Sequence, residues 1–346
     1  MKNISFILGL VFSLLLSGLL SSVPATAQKI RPAENNDFYD NLPFKDLPLE
    51  NIEIAGEVAS PGLFNLKGLP LHQVQVREAV LNGHQLNFIG AYVYQGYSLF
   101  DILKNQILAK KNKEQFPSPI DLLVILENKK GEKAIFSWGE IFYPSVLHRL
   151  IIAVKVAPLI PSSTGETWSL PRTNKVVAAN DLFSERNLED AVKITIMSWP
   201  VFLAIEKNKT PLFSKNIKFL INSEVKGVIE QFPETISPLT LPSVFFGRGR
   251  GFHGINYFTG IPLRLLLAKF ISPIQGNLKT GYLAVVGDDG FRAVYSGSEI
   301  FNRNDCQEII LCDGGNKEGG RFSLFSGPDF FSDRAVKAIK EIYIID

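Results

Sequence analysis

The chain has 346 residues, 46% of them hydrophobic and 20% charged, which is room for two ordinary domains and excludes disordered and fibrous classes. Its formal net charge of +2, with no run of Lys or Arg, excludes nucleic acid held by bulk electrostatics. Two cysteines, Cys306 and Cys312, cannot staple a chain of this length, so packing must hold the fold. They could pair in an oxidising compartment, or Cys312 could be a small buried hydrophobe at the end of Ile309-Ile310-Leu311.

Taken in chain order, the first segment is Lys2 followed by an apolar stretch from Ile4 to Leu20. It breaks at Ser21, Ser22 and Pro24 and reaches Ala25-Thr26-Ala27 before Gln28. That order reads as a secretory signal peptide over residues 1–27, giving a periplasmic or secreted protein; an uncleaved anchor helix is the alternative. No membrane contact is expected beyond that segment. Residues 28–50 read as a linker.

From there the sequence is written twice. Phe88 to Leu103 matches Phe252 to Leu267, Gly131 to Phe142 matches Gly290 to Phe301, and Asp181 to Ile196 matches Asp329 to Ile344. Three blocks in one order imply a tandem duplication, with domains over 51–199 and 213–346 and a linker over 200–212. Within each unit, Leu99, Ile102 and Leu103, like Leu263, Leu266 and Leu267, have helical spacing. The apolar runs Leu122–Leu126 and Tyr282–Val286 have strand length, and each returns through a turn containing Gly131 or Gly290, as a hairpin does. Val192, Ile194 and Ile196 alternate as a closing strand. Strands with a few short helices predict an α+β class with mixed sheets.

Gly247-Arg248-Gly249-Arg250-Gly251-Phe252-His253-Gly254 contains the spacing of a dinucleotide fingerprint. It leads into a strand-like stretch instead of a long helix, and no acid follows before Asp288 to hold a ribose, so the nicotinamide reading fails. Arginines set between glycines instead suit a phosphate or carboxylate, since guanidinium forks and backbone N–H groups can approach one anion together. The alternative is a solvated loop whose arginines pair with acids elsewhere.

Four features together resemble the molybdopterin-binding oxidoreductase domain of the sulfite oxidase family. These are Ile52 to Pro61 as its opening strand and turn, the G-x-x-L-x-x-L starts at Gly96 and Gly260, the Asp289-Gly290-Phe291 hairpin, and the closing blocks from Arg186 and Arg334. The resemblance implies two tandem copies of that α+β fold. It also implies a cofactor pocket near His84 in the first unit and near Arg248 in the second, where the family places a molybdenum-binding cysteine. Neither position is cysteine, so the resemblance points to an exported binding or accessory protein without thiolate-held molybdenum. Its ligand would be a small anion or an exported protein partner, with Arg248, Arg250, His253 and His84 as the binding residues and no metal. The alternative is a molybdopterin-dependent oxidoreductase that uses His84 or solvent as metal ligand. The four histidines show no i, i+4 pair that would suggest a metal cluster.

Overall fold

In the computed structural model the described residues are 42–83, 85–271, 278–315 and 320–345. The signal-peptide reading and His84 lie outside them. Among the described residues no helix is long and apolar enough to cross a membrane.

The first half contains β1 (Lys45–Asp46), β2 (Asn51–Gly56), β3 (Gly62–Asn65), β4 (Leu71–Asn82), β5 (Gln85–Ser98), α1 (Leu99–Leu103), β6 (Leu122–Asn128), β7 (Lys133–Ser137), α2 (Trp138–Phe142), β8 (Leu150–Pro158), β9 (Lys175–Ala178) and β10 (Ala191–Ser198). The second contains β11 (Ile217–Ile221), β12 (Glu224–Ile229), β13 (Leu239–Gly247), β14 (Gly251–Pro262), α3 (Leu263–Leu267), β15 (Tyr282–Gly287), β16 (Arg292–Ser296), α4 (Gly297–Phe301), β17 (Ile309–Asp313), β18 (Phe322–Ser326) and β19 (Ile339–Ile345). The hairpins β6–β7 and β15–β16 fall on the predicted apolar runs, and Gly131 (φ 79°) and Gly290 (φ 78°) take left-handed backbone at their turns.

The α+β expectation is corrected. The chain is mostly β, with four small sheets arranged as the blades of a four-bladed β-propeller, not a sulfite-oxidase-like fold. The blade orders are β1-β8-β5-β4 with β9 on β8, β3-β2-β10-β6-β7, β12-β11-β19-β15-β16, and β13-β14-β17-β18. Two blades depart from an all-antiparallel meander, because β2 runs parallel to β10 and β11 parallel to β19. The physical reason for the correction lies in the helices. Each of the four is five residues long, too short to form a layer over a sheet, and acts as a one-turn connector between blades. What covers each sheet is another sheet.

Strand alternation decides what meets what. Leu122, Val124 and Leu126 of β6 face the core of the first half, whereas Leu123 faces Ala284, Val286 and Val294 of the second. Likewise Leu283 and Val285 of β15 enter the second half's own core. With Trp199 at the same contact, the two central blades are buried on both faces, which is why β6 and β15 read as unbroken apolar runs.

Charge also closes this seam, and the repeated blocks supply it. Arg186 donates to both carboxylate oxygens of Asp181 (2.8 and 2.7 Å), to Glu140 (2.8 Å) and, across the seam, to Ser296 (3.1 Å). Arg334 repeats this with Asp329 (2.7 and 2.6 Å), Glu299 (2.8 Å) and Ser137 of the first half (3.2 Å). Ser137 and Ser296 cap α2 and α4 in reciprocal capping boxes with Glu140 and Glu299. Ser137 also donates to Glu299 at 2.5 Å. A third clasp joins Arg292 of β16 to Asp121 of the first half (3.1 Å), with Lys110 on the same carboxylate (2.7 Å).

Candidate functional site

The glycine-arginine stretch forms the turn between β13 and β14. Register pairs Val244 with Ile255, Pro242 with Tyr257 and Thr240 with Thr259, and these six share the outward face. Val244, Ile255 and Tyr257 are each about two-thirds or more exposed (66, 67 and 72%), and Phe252 near the tip is 63% exposed. The opposite face is packed, with Phe258 stacked on Phe325 at 4.0 Å and Phe246 against Phe330.

The structure places Arg248, Arg250 and His253 around this exposed tip. Arg248 turns toward Asp333 (Nε to Oδ1 3.9 Å), its backbone N–H donates to the same carboxylate, and its guanidinium lies 6.0 Å from the ring of Tyr143. His253 rests beside Phe245. Among the described residues no carboxylate pairs with Arg250, and added atoms at Gly249, Gly251 or Gly254 would meet nothing within 4 Å. The tip is open, and any anion there would be held from one side.

The duplication provides an internal comparison. Gly96 faces His72 and Ala153 in the first half as Gly260 faces Leu239 and Cys312 in the second. On that alignment, outward Thr240, Pro242 and Val244 correspond to Gln73, Gln75 and Arg77, while Ile255 and Tyr257 correspond to Ala91 and Val93, so the first strand of this face is polar in one half and more apolar in the other. The third strand differs as well. In the first half β8 follows β5 from Ser98 to Tyr92, and Leu159 continues it by donating to the carbonyl of Ala91. In the second half β17 follows β14 only over Gly260–Pro262. Among the described residues, nothing pairs with the edge of β14 before Gly260.

A second constellation belongs to the first half alone. Ser98 caps α1 by accepting from the N–H of Asp101, which turns that carboxylate toward β4 and the loop before β8. There Asp101 Oδ2 meets His72 Nε2 at 2.6 Å, the Ser98 hydroxyl at 2.9 Å and His148 Nδ1 at 3.5 Å, while Lys104 holds Oδ1 at 2.6 Å. The two imidazoles stack at 3.9 Å and 3°. Burial raises the Asp101 carboxyl, but hydrogen bonds from Lys104, Ser98 and His72 outweigh it and hold the group below the usual range. Burial, with His72 alongside, holds His148 low, so its ring is neutral near pH 7. No spacing in the sequence signals this group, because three separate elements contribute it.

No protein-family model matches this chain, and no curated protein matches it in sequence. Cys306 and Cys312 are both free thiols in the structure.

Proposed function

We propose that this chain is an exported binding protein that captures an extended segment of a partner protein by strand addition along β14. The observation that carries this is the edge of β14 from Phe252 to Thr259, with which nothing among the described residues pairs, beside an apolar outer face, where the other half of the same chain has a third strand. A two-stranded ribbon gains from a further strand, since main-chain groups on an open edge lack partners and the pleat gives side-chain pockets at every second residue. The occupant is a segment alternating apolar and polar residues and carrying acids at the end that reaches the tip. No Asp or Glu occurs from Thr235 to Gly287, whereas Arg250 stands open there with Arg248 and His253 nearby. The anion-binding reading of the arginines thus becomes the polar end of a peptide site. The Ala25-Thr26-Ala27 pattern supports export.

Selection of displayed peptides on the purified chain tests this. Enriched peptides should alternate apolar residues and carry acids, should slow amide exchange in residues 252–259, and should lose affinity about tenfold or more in Ile255→Lys/Tyr257→Lys. Enrichment of peptides without that pattern, or affinity untouched by the double variant, overturns the proposal. So does concentration-dependent dimerisation abolished by the same variant, which would make a second copy the occupant.

A further inference from the structure

The stacked histidines and the carboxylate between them are more than the fold requires. On the alignment used above, His72, Asp101 and His148 correspond to Leu239, Leu265 and Gln307, and the capping Ser98 to Pro262. The second half builds the same strand pair, the same one-turn helix and the same return strand without any of them. A left-handed residue precedes the return strand in both halves, His148 (φ 65°) in the first and Cys306 (φ 57°), one position before the equivalent of His148, in the second.

The geometry points to a binding site for one divalent cation of the zinc class, with His72 Nε2, His148 Nδ1 and Asp101 Oδ2 as its three protein ligands. Their donor atoms lie within 4.8 Å of one another. Two imidazoles and one carboxylate suit Zn²⁺, Co²⁺, Ni²⁺ or Cu²⁺, whereas Ca²⁺ and Mg²⁺ prefer all-oxygen shells. Three protein ligands leave a fourth place for water or another donor. The Asp101 carboxylate is nearly buried (3% exposed) and is fixed by the helix cap, while the two histidines are partly open to solvent (25 and 32%), which gives an ion a way in.

One rearrangement accompanies binding. Imidazole nitrogens donate in the plane of the ring, and a cation cannot lie in the planes of two parallel stacked rings at once, here with centroids 3.9 Å apart. One ring must therefore turn about its Cβ–Cγ bond as the ion replaces the hydrogen bond between His72 and Asp101. Lys104 occupies Oδ1 and the Ser98 hydroxyl takes one lone pair of Oδ2. The ion therefore uses the lone pair that His72 releases and takes His148 Nδ1 from its 3.0 Å contact with Ser98, while the Lys104 ammonium opposes the incoming charge. This site is independent of the strand-addition reading and lies on the other half of the chain.

The experiment is a Co²⁺ titration of the chelator-stripped full chain, followed by the visible absorption of the ion, with Zn²⁺ as competitor. One equivalent should saturate the signal, and excess Ca²⁺ or Mg²⁺ should not displace it. His72→Gln and His148→Gln should each weaken binding by more than about tenfold, the scale known for perturbing a metal's ligand sphere. Lys104→Met should tighten it. Both histidine variants should keep the parent circular dichroism, since the second half folds without these residues. A chain that takes up no Co²⁺ saturably, or a His72→Gln/His148→Gln double variant that binds as the parent does, overturns the inference.

Discussion

Gly139 has no room for a methyl group, because a Cβ there would stand 2.4 Å from the guanidinium of Arg334. That cation is buried and fixed on two carboxylates, so it cannot step aside. Gly139→Ala should therefore cost about 1–3 kcal/mol, read as a lowered midpoint in denaturant at unchanged slope. Glu140 makes the pH prediction. Burial, opposed by Arg186 and reinforced by the Glu299 and Asp181 carboxylates, pushes its carboxyl from the ordinary 4.5 to about 7. Arg334 stands one shell away, on Glu299. Because the folded value lies above the unfolded one, the folded chain binds the extra proton between about pH 4.5 and 7. The contribution is fully present below that window and is lost as pH rises through it. Glu140→Gln should flatten this slope in equilibrium unfolding measured from pH 4.5 to 7.5; an unchanged slope would reject the assignment.

At the scale of elements, the short helices show how a correct local reading can mislead about the whole. Leu99, Ile102 and Leu103 do face inward from a helical turn, as their spacing predicts, and so do Leu263, Leu266 and Leu267. Periodicity reports which side is apolar but not whether the element continues, and these stop after five residues. The serine-glutamate pairs that cap α2 and α4 lie inside the matched blocks Gly131–Phe142 and Gly290–Phe301, where only the match and no helix was read, and their partners across the seam lie far off in sequence. In the β13–β14 ribbon Pro242, which has no N–H, stands opposite Tyr257, so the Tyr257 N–H points to the open edge. Tyr257→Pro removes it and should abolish partner-strand capture while changing the stability of the two central blades by less than about 1 kcal/mol, since the residue lies outside their contacts. Exchange protection of β15 and β19 amides checks the second part.

At the scale of the molecule, the two halves share one buried seam. Beside the Arg292–Asp121 clasp, Arg186 stands there against Asp181 and Glu140, and Arg334 against Asp329 and Glu299. Removing one cation strands its acids without water, so Arg186→Met should cost about 3–5 kcal/mol. Because Arg186 also donates to Ser296, and Leu123 and Trp199 pack on Val294 and its neighbours, both halves should melt together. Trp199 fluorescence and far-ultraviolet dichroism should trace one transition in the parent, shifted as one in the variant. Two separated transitions would show that the seam does not couple the halves.

Legible in the sequence were the repeated blocks, the hairpins at Gly131 and Gly290, the helical turns after Gly96 and Gly260, and the closing blocks that start at Arg186 and Arg334. All of these are local signals, in which turn chemistry and apolar spacing lie within a few residues of each other. Arg248, Arg250 and His253 stood out by composition, but not their place at the tip of the β13–β14 ribbon. The division of the strands among four blades was settled by packing, because a sheet is chosen by which faces meet and period-2 alternation is the same whichever sheet a strand joins. The same holds for His72, Asp101 and His148. Their separations of 29 and 47 residues carry no pattern, and only the pairing of β4 with β5 and of β5 with β8 brings the three side chains to one point.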